Sequence, residues 1–279
     1  MKLSQTLALA ASAVLVLGVS GCSKDDDSNS NDSGSGTLSL SPKTISTPEE
    51  AQNAVAVSTS GGFGGSNKSA QLSKSFVRKA MAAKAPQTVP CDVSGEIVVT
   101  VDEANHSSTT EYKNCKEDGE LTNGIVKYNG TKYTFTDFTV KDLNTSEESV
   151  LNVSYVTSKS GEFDVMTIDG GMVFTDNKGR SEVGYEKFEF ANNENAHQFK
   201  IDKKLSVQSD EKPCVNGGYV YTTNQVLVEG QNGISSGELD INGVKYTFSI
   251  DNNSKGIVTV DFGNGKTAII NQDEEVICK

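Results

Sequence analysis

From Cys91 onward runs of apolar residues recur with a period of two, and that period leaves the chain few ways to fold other than as antiparallel strands. Ile97, Val99 and Val101 form one such row, and Leu151, Val153 and Tyr155 alternate with Asn152 and Ser154. Phe199, Ile201, Lys203, Leu205 and Val207 alternate with Lys200, Asp202, Lys204 and Ser206, and Tyr246, Phe248 and Ile250 with Lys245, Thr247 and Ser249. One apolar and one polar face per strand suits a sheet with a single solvated side. Asn123-Gly124, Asn129-Gly130, Asp169-Gly170-Gly171, Asn242-Gly243 and Asn264-Gly265 punctuate these runs at hairpin spacing. The expected fold class is mainly β: a large antiparallel meander of about fifteen short strands, built as a curved sheet, open barrel or sandwich. The alternation slips near Asp137 and near Glu186-Lys187, where bulges would bend the sheet. Two hairpins echo each other, Asn129-Gly130-Thr131-Lys132-Tyr133 and Asn242-Gly243-Val244-Lys245-Tyr246, as expected of similar turns or of a decayed duplication.

Ahead of the strands the period is helical. Thr47, Pro48, Glu49 and Glu50 supply a capping hydroxyl, a first-turn proline and acids at the positive end of a helix that Ala51–Val57 can continue. Gly61-Gly62-Phe63-Gly64-Gly65 breaks it as a joint. From Lys68 to Ala85 Leu72, Phe76 and Ala80 recur at i, i+4 and i+8 beside Val77 and Met81, largely opposite Lys74, Arg78 and Lys79. This amphipathic helix is expected to dock on its own domain or to lie on an anionic membrane. Residues 51–90 hold five basic groups and no acid, whereas residues 91–279 hold 17 basic and 31 acidic groups. A net charge of −12 and only two arginines, Arg78 and Arg180, exclude a nucleic-acid partner.

Four cysteines lie in the strand region: Cys91, Cys115, Cys214 and Cys278. They permit three disulfide connectivities. Cys91–Cys115 and Cys214–Cys278 is the favoured one, because each pair brackets a group of strands. No Cys-x-x-Cys or nearby histidine offers metal-ligand spacing, and no cofactor motif is present.

The first residues read as an address. Met1 and Lys2 precede an uncharged apolar stretch, Leu7–Val19, too short to span a bilayer comfortably. Val19-Ser20-Gly21-Cys22 follows, and it resembles the lipobox of bacterial lipoproteins. That resemblance implies cleavage after residue 21, acylation of Cys22 and attachment to the membrane of the cell envelope through the acyl chains. Ser23, which is not aspartate, is similar to the outer-membrane sorting rule of Gram-negative lipoproteins, and Asp25-Asp26-Asp27 resembles a surface-export signal; the same aspartates also serve to keep a tether extended. The organisation expected is a signal peptide (1–21), a disordered tether (22–46), a helical segment with its glycine joint (47–90) and an all-β domain (91–279). The last divides, if it divides, into 91–208 and 209–279. Cys-x3-Gly at 91–95, Tyr112-Lys113-Asn114-Cys115, Asp118-Gly119, Asn123-Gly124 and Cys214…Cys278 together resemble a group of β-rich bacterial lipoproteins of unassigned function. Those motifs are turns and staples, and they imply architecture without activity.

Catalytic constellations are sparse. His106 and His197 sit in polar surroundings with no Gly-x-Ser-x-Gly elbow or Cys–His pairing. Glu117, Asp118, Glu120 and Asp273–Glu275 are carboxylates without a motif. Asp251-Asn252-Asn253-Ser254-Lys255-Gly256 imitates a calcium loop, but Lys255 and Phe262 stand where ligands belong, so it reads as a hairpin turn. The sequence therefore points away from an enzyme. It suggests an envelope scaffold or interaction module with a protein partner, then a carrier of a lipid or other apolar ligand, and last a carboxylate-dependent hydrolase.

Overall fold

The computed structural model describes residues 37–58, 87–231, 233–263, 265–272, 276 and 278. Fourteen strands, against about fifteen expected, form one antiparallel sheet in which each is hydrogen-bonded to the strand before it in the chain. They are β1 (Gln87–Pro90), β2 (Ser94–Asp102), β3 (Ser107–Glu117), β4 (Glu120–Asn129), β5 (Lys132–Asp142), β6 (Glu148–Ser160) and β7 (Phe163–Asp176). The second half holds β8 (Gly179–Asn193), β9 (Gln198–Ser209), β10 (Gly217–Gly230), β11 (Gly233–Ile241), β12 (Val244–Ile250), β13 (Gly256–Asp261) and β14 (Thr267–Asn271). β1 and β14 do not pair, so the sheet is open rather than a closed barrel. The connection at residue 209 joins two strands of this same sheet, β9 and β10, whose Leu205, Val207, Tyr219 and Tyr221 share one core.

The helix α1 (Pro48–Ala56) starts where the sequence places it. Thr47 Oγ1 accepts from the Glu50 N–H at 3.2 Å while Glu50 Oε2 accepts from the Thr47 N–H at 3.1 Å, a reciprocal cap. The Ser46 N–H, also donating to that carboxylate, is the main reason Glu50 titrates below the usual range. Ala51, Ala54 and Val55 are buried in the main core. The second helix expected at 68–85, the glycine joint and the signal region all lie outside the described residues, and Gln87–Pro90, assigned above to the helical segment, is an edge strand.

A line of bulges runs across the sheet from β2 to β9, interrupted at the β6–β7 pair, whose register is unshifted. Register shifts fall at Ser94/Glu96, Tyr112/Cys115, Asn123/Ile125, Phe135/Phe138, Ile168/Gly170 and Glu186/Glu189. Asn114, Asp137 and Lys187 take positive φ there (51°, 46° and 49°). Each presents its backbone N–H to an Asx side chain of a neighbouring strand: Asn114 to Asn123 Oδ1 at 2.7 Å, Asp137 to Asn152 Oδ1 at 2.7 Å, and Lys187 to Asp169 Oδ1 at 3.2 Å. The side chain thus satisfies the donor that the bulge takes out of the ladder. The slips at Asp137 and Glu186-Lys187 are two members of this line.

Residues 37–46, expected to belong to the tether, are part of the body instead. Gly171, Gly184, Ser206 and Gly218 stand opposite one another on β7 to β10. They form a row of minimal side chains on the face opposite Val183, Tyr185, Leu205 and Tyr219. Thr37–Lys43 runs across it as a strap. The Leu40 N–H donates to Ser206 Oγ at 3.1 Å, the Gly218 N–H to Ser41 O at 2.9 Å, and the Lys43 N–H to Gly218 O at 2.9 Å. Asn242 Nδ2 reaches Lys43 O at 2.9 Å. A Cβ at Gly184 would lie 1.9 Å from Leu38 O, although the Gly184 backbone itself is not left-handed. Gly184→Ala should therefore lift the strap while leaving β8 intact. The expected cost is about 2 kcal/mol in lost hydrogen bonds. Hydrogen exchange checks it: the Gly218 amide should lose protection while β12 and β13 keep theirs.

Candidate functional site

The apolar residues of successive strands line up into one continuous face. Val99, Thr110, Val126, Phe135, Val153, Gly170, Tyr185, Leu205 and Tyr219 are consecutive cross-strand partners from β2 to β10. Its cover is uneven. From β8 onward the face is sealed by the remaining strands and α1, with Tyr185, Leu205, Tyr219, Tyr221 and Tyr246 at most 1% exposed. A smaller core of Cys91, Ile97, Val99, Tyr112 and Cys115 closes β2 and β3. Between the two, over β4 to β6, Val126, Tyr128, Tyr133, Phe135, Phe138, Leu151 and Tyr155 are only half-buried.

Aromatic rings dominate this stretch. Tyr128, Tyr133 and Tyr155 are direct cross-strand neighbours, with ring centroids 4.6 and 4.8 Å apart, the second pair stacked. The Tyr128 hydroxyl donates to Gly130 O. Phe135 meets Phe138 edge to face at 5.5 Å, and Tyr112 meets Phe138 in the same way at 5.4 Å. Such pairs add about 0.5–1.5 kcal/mol each beyond the area they bury. Burial, then the Glu117 charge, pushes the Tyr112 phenol up to about 12. Burial, then Tyr128, raises Tyr133, and burial with its two tyrosine neighbours raises Tyr155 further.

These shifts set an alkaline limit. A phenol whose pKa is raised in the folded state contributes stability that is whole below the unfolded value near 10 and is lost as pH climbs towards the folded value. Stability should accordingly fall from about pH 10 upward, through pH 12 for Tyr112. Tyrosinate absorbance near 295 nm from these buried phenols should appear in a cooperative step coincident with loss of far-ultraviolet β signal.

The residues singled out from the sequence separate clearly. Cys91–Cys115 and Cys214–Cys278 are disulfides, with Cα atoms 5.5 and 5.4 Å apart, in the favoured connectivity. Cys22 lies outside the described residues, as do Asp273–Glu275. Glu117 sits within 4.8 Å of the Cys91 and Cys115 sulfurs, but those sulfurs are bonded to each other and are not thiolate donors. His106 and His197 occupy turns with φ of 49° and 51°. Asp251 Oδ1 accepts the Asn253 and Lys255 N–H groups at 2.8 Å each, so that loop is the hairpin turn expected, and these bonds hold its carboxyl low. Asp102 is lowered in the same way by Asn105, and Glu186 by Lys204 and Ser39. The acids with depressed pKa values are thus in turns, a cap and a surface pair. Among the described residues the buried polar side chains are Gln52, Asn53, Ser58, Thr110, Asn193, Ser206 and Ser209, none of them charged.

The open aromatic stretch was not singled out from sequence, although Tyr155 appears there in an alternating strand row and Tyr133 in one of the two echoing hairpins. Only the pairing of β4 with β5 and β6 shows that the rings are neighbours. Comparison with protein-family models, with curated proteins and with solved structures returned no match.

Proposed function

We propose that this chain is a lipid-anchored protein of the bacterial cell envelope, held to the outer membrane through Cys22, that serves as a non-catalytic scaffold or interaction module. The observation that carries this reading is the character of the interior. One open sheet is stapled by two disulfides, and no charged side chain is among its described buried residues. Acid–base and nucleophilic catalysis draw on charged or titratable groups held in a cleft with shifted pKa values. Here the shifted carboxyls serve turns, a cap and a surface pair. The disulfides suit an oxidising compartment, and the lipobox-like Val19–Cys22 suits attachment by acyl chains.

Anchor and compartment can be tested together. In the native host, the chain should fractionate with the outer membrane, and Cys22→Ser should release it to the soluble fraction. Release from the wild type, or retention of the variant, would defeat the anchor. Protease added to intact cells then separates a surface-exposed module from a periplasmic one. A second reading, carriage of a lipid or other apolar ligand, is favoured by the half-buried aromatic stretch of β4 to β6. Native mass spectrometry of the Cys22→Ser chain, purified without detergent, divides the two: the module should give a bare mass, and the carrier a reproducible apolar adduct.

A further inference from the structure

We infer that Asn129-Gly130, in the β4–β5 turn, is a site of spontaneous modification, at which the Asn129 carboxamide closes onto the Gly130 backbone nitrogen and opens to an aspartyl or isoaspartyl residue. The inference goes beyond the envelope-module reading and does not depend on it.

The chemistry needs only these two residues and water. The Gly130 amide nitrogen attacks Asn129 Cγ, and the side-chain nitrogen leaves as ammonia, carrying away the proton that the amide gives up. The five-membered cyclic imide then adds one water. Opening at one carbonyl gives aspartate, and opening at the other gives isoaspartate, whose main chain runs through the side-chain carbon. Glycine after the asparagine favours the attack, because no Cβ crowds the nitrogen.

The chain has six Asn-Gly pairs, and in four of them, at Asn123, Asn129, Asn216 and Asn242, the asparagine is among the described residues. Three of these are locked. Asn242 Oδ1 accepts the Val220 N–H at 2.7 Å, and its Nδ2 donates to Lys43 O and Gly218 O at 2.9 Å each. The Gly243 N–H is itself held by Asp240 Oδ1 at 2.7 Å. Asn216 Oδ1 accepts the Ser209 N–H at 2.7 Å, and a Cβ on Gly217 would meet the Lys43 Cβ at 2.8 Å. Asn123 Oδ1 accepts the Asn114 N–H at 2.7 Å, and Gly124 lies against the β5 backbone. Each carboxamide must break these bonds before it can swing over the following nitrogen.

Asn129 carries no such lock. Asn129 to Lys132 are all exposed, and nothing lies within 4 Å of a Cβ placed on Gly130. Among the described residues the Asn129 side chain has no hydrogen bond. Ser107 with Asn129 and Asn129 with Lys132 are the last pairs of their ladders at this end, where opening costs little. The Gly130 N–H reaches His106 O only at 3.3 Å. The Thr131 N–H on Asn129 O and the Tyr128 hydroxyl on Gly130 O leave both reacting atoms untouched. The echoing hairpins make the contrast direct, because Asn129-Gly130-Thr131-Lys132-Tyr133 and Asn242-Gly243-Val244-Lys245-Tyr246 share a local sequence and differ in context.

Peptide mapping by mass spectrometry tests it on the folded full chain bearing Cys22→Ser, incubated at mildly alkaline pH. Asn129 should exchange carboxamide for carboxylate about a hundredfold faster than Asn242, which must first give up three side-chain hydrogen bonds. In urea the two rates should converge to within about threefold, since only the fold separates them. Enzymatic methylation of isoaspartyl carboxyl groups should label the aged wild type, and Asn129→Gln should remove most of that label from the β4–β5 peptide. Conversion at Asn123, Asn216 or Asn242 as fast as at Asn129 in the folded chain overturns the inference. So does an Asn129 that stays intact when folded and converts only in urea, which would mean that the turn itself protects it.

Discussion

Gly124→Val should destabilise the protein by about 4 kcal/mol, as strain at the bulge and overpacking add. Gly124 has φ +106°, a region closed to side chains, and a Cβ there would stand 2.4 Å from Asp137 O and 2.5 Å from the Phe138 Cα. Both obstacles are backbone of β5, and β5 is held on its other side by β6. No flexible tip can yield. The Tyr112–Phe138 ring pair, contributed by the strands on either side of Gly124, would be displaced as well. Gly170→Val meets the same geometry one step along the line of bulges, with Asn152 O at 2.3 Å and the Val153 Cα at 2.8 Å. Gly130→Ala is the control. Its φ is +62° and nothing lies within 4 Å of the added carbon, so the left-handed backbone alone should cost about 1 kcal/mol. Urea denaturation midpoints order the three. Equal losses for Gly124→Val and Gly130→Ala would mean that the line of bulges is slack rather than a packed crease.

That crease also shows how far the sequence could be read. A strand reveals a bulge by a slip in its own alternation, which is why Asp137 and Glu186-Lys187 are visible in one dimension. The pairing of each left-handed residue with an Asx side chain is not visible, because Asn123, Asn152 and Asp169 belong to other strands. The strap is hidden for a similar reason. Thr37–Lys43 is short and mostly polar, and its seat exists only once Gly171, Gly184, Ser206 and Gly218 are brought into register from four strands. Periodicity likewise fixes which side chains share a face but not whether anything covers it. Sheet, open barrel and sandwich therefore remain equivalent until the pairing shows β1 and β14 apart. The cysteines were more legible, because a staple across a group of strands needs only its two ends on the same module.

Removing the C-terminal staple should cost as much as the crease substitution, but with a different spatial signature. Cys214–Cys278 closes 64 residues, and chain entropy alone assigns it about 4 kcal/mol, against about 3 kcal/mol for the 24 residues of Cys91–Cys115. Native contacts widen that gap. Cys214 lies on the short turn Pro213–Val215, where Asn53 Nδ2 of α1 approaches its sulfur at 3.6 Å, and Val276 packs against the main core close to Cys278. Opening the staple by Cys214→Ser with Cys278→Ser therefore frees the chain end and weakens the seat of α1. Cys91 and Cys115 belong to the small separate core, so Cys91→Ser with Cys115→Ser should loosen the β1 to β3 edge and leave α1 undisturbed. Urea denaturation should give the larger loss for the first pair. Hydrogen exchange should show α1 amides opening in the first pair only. An α1 that keeps full protection without Cys214–Cys278 would mean that the strap and the capping box, rather than the staple, hold the helix on the sheet.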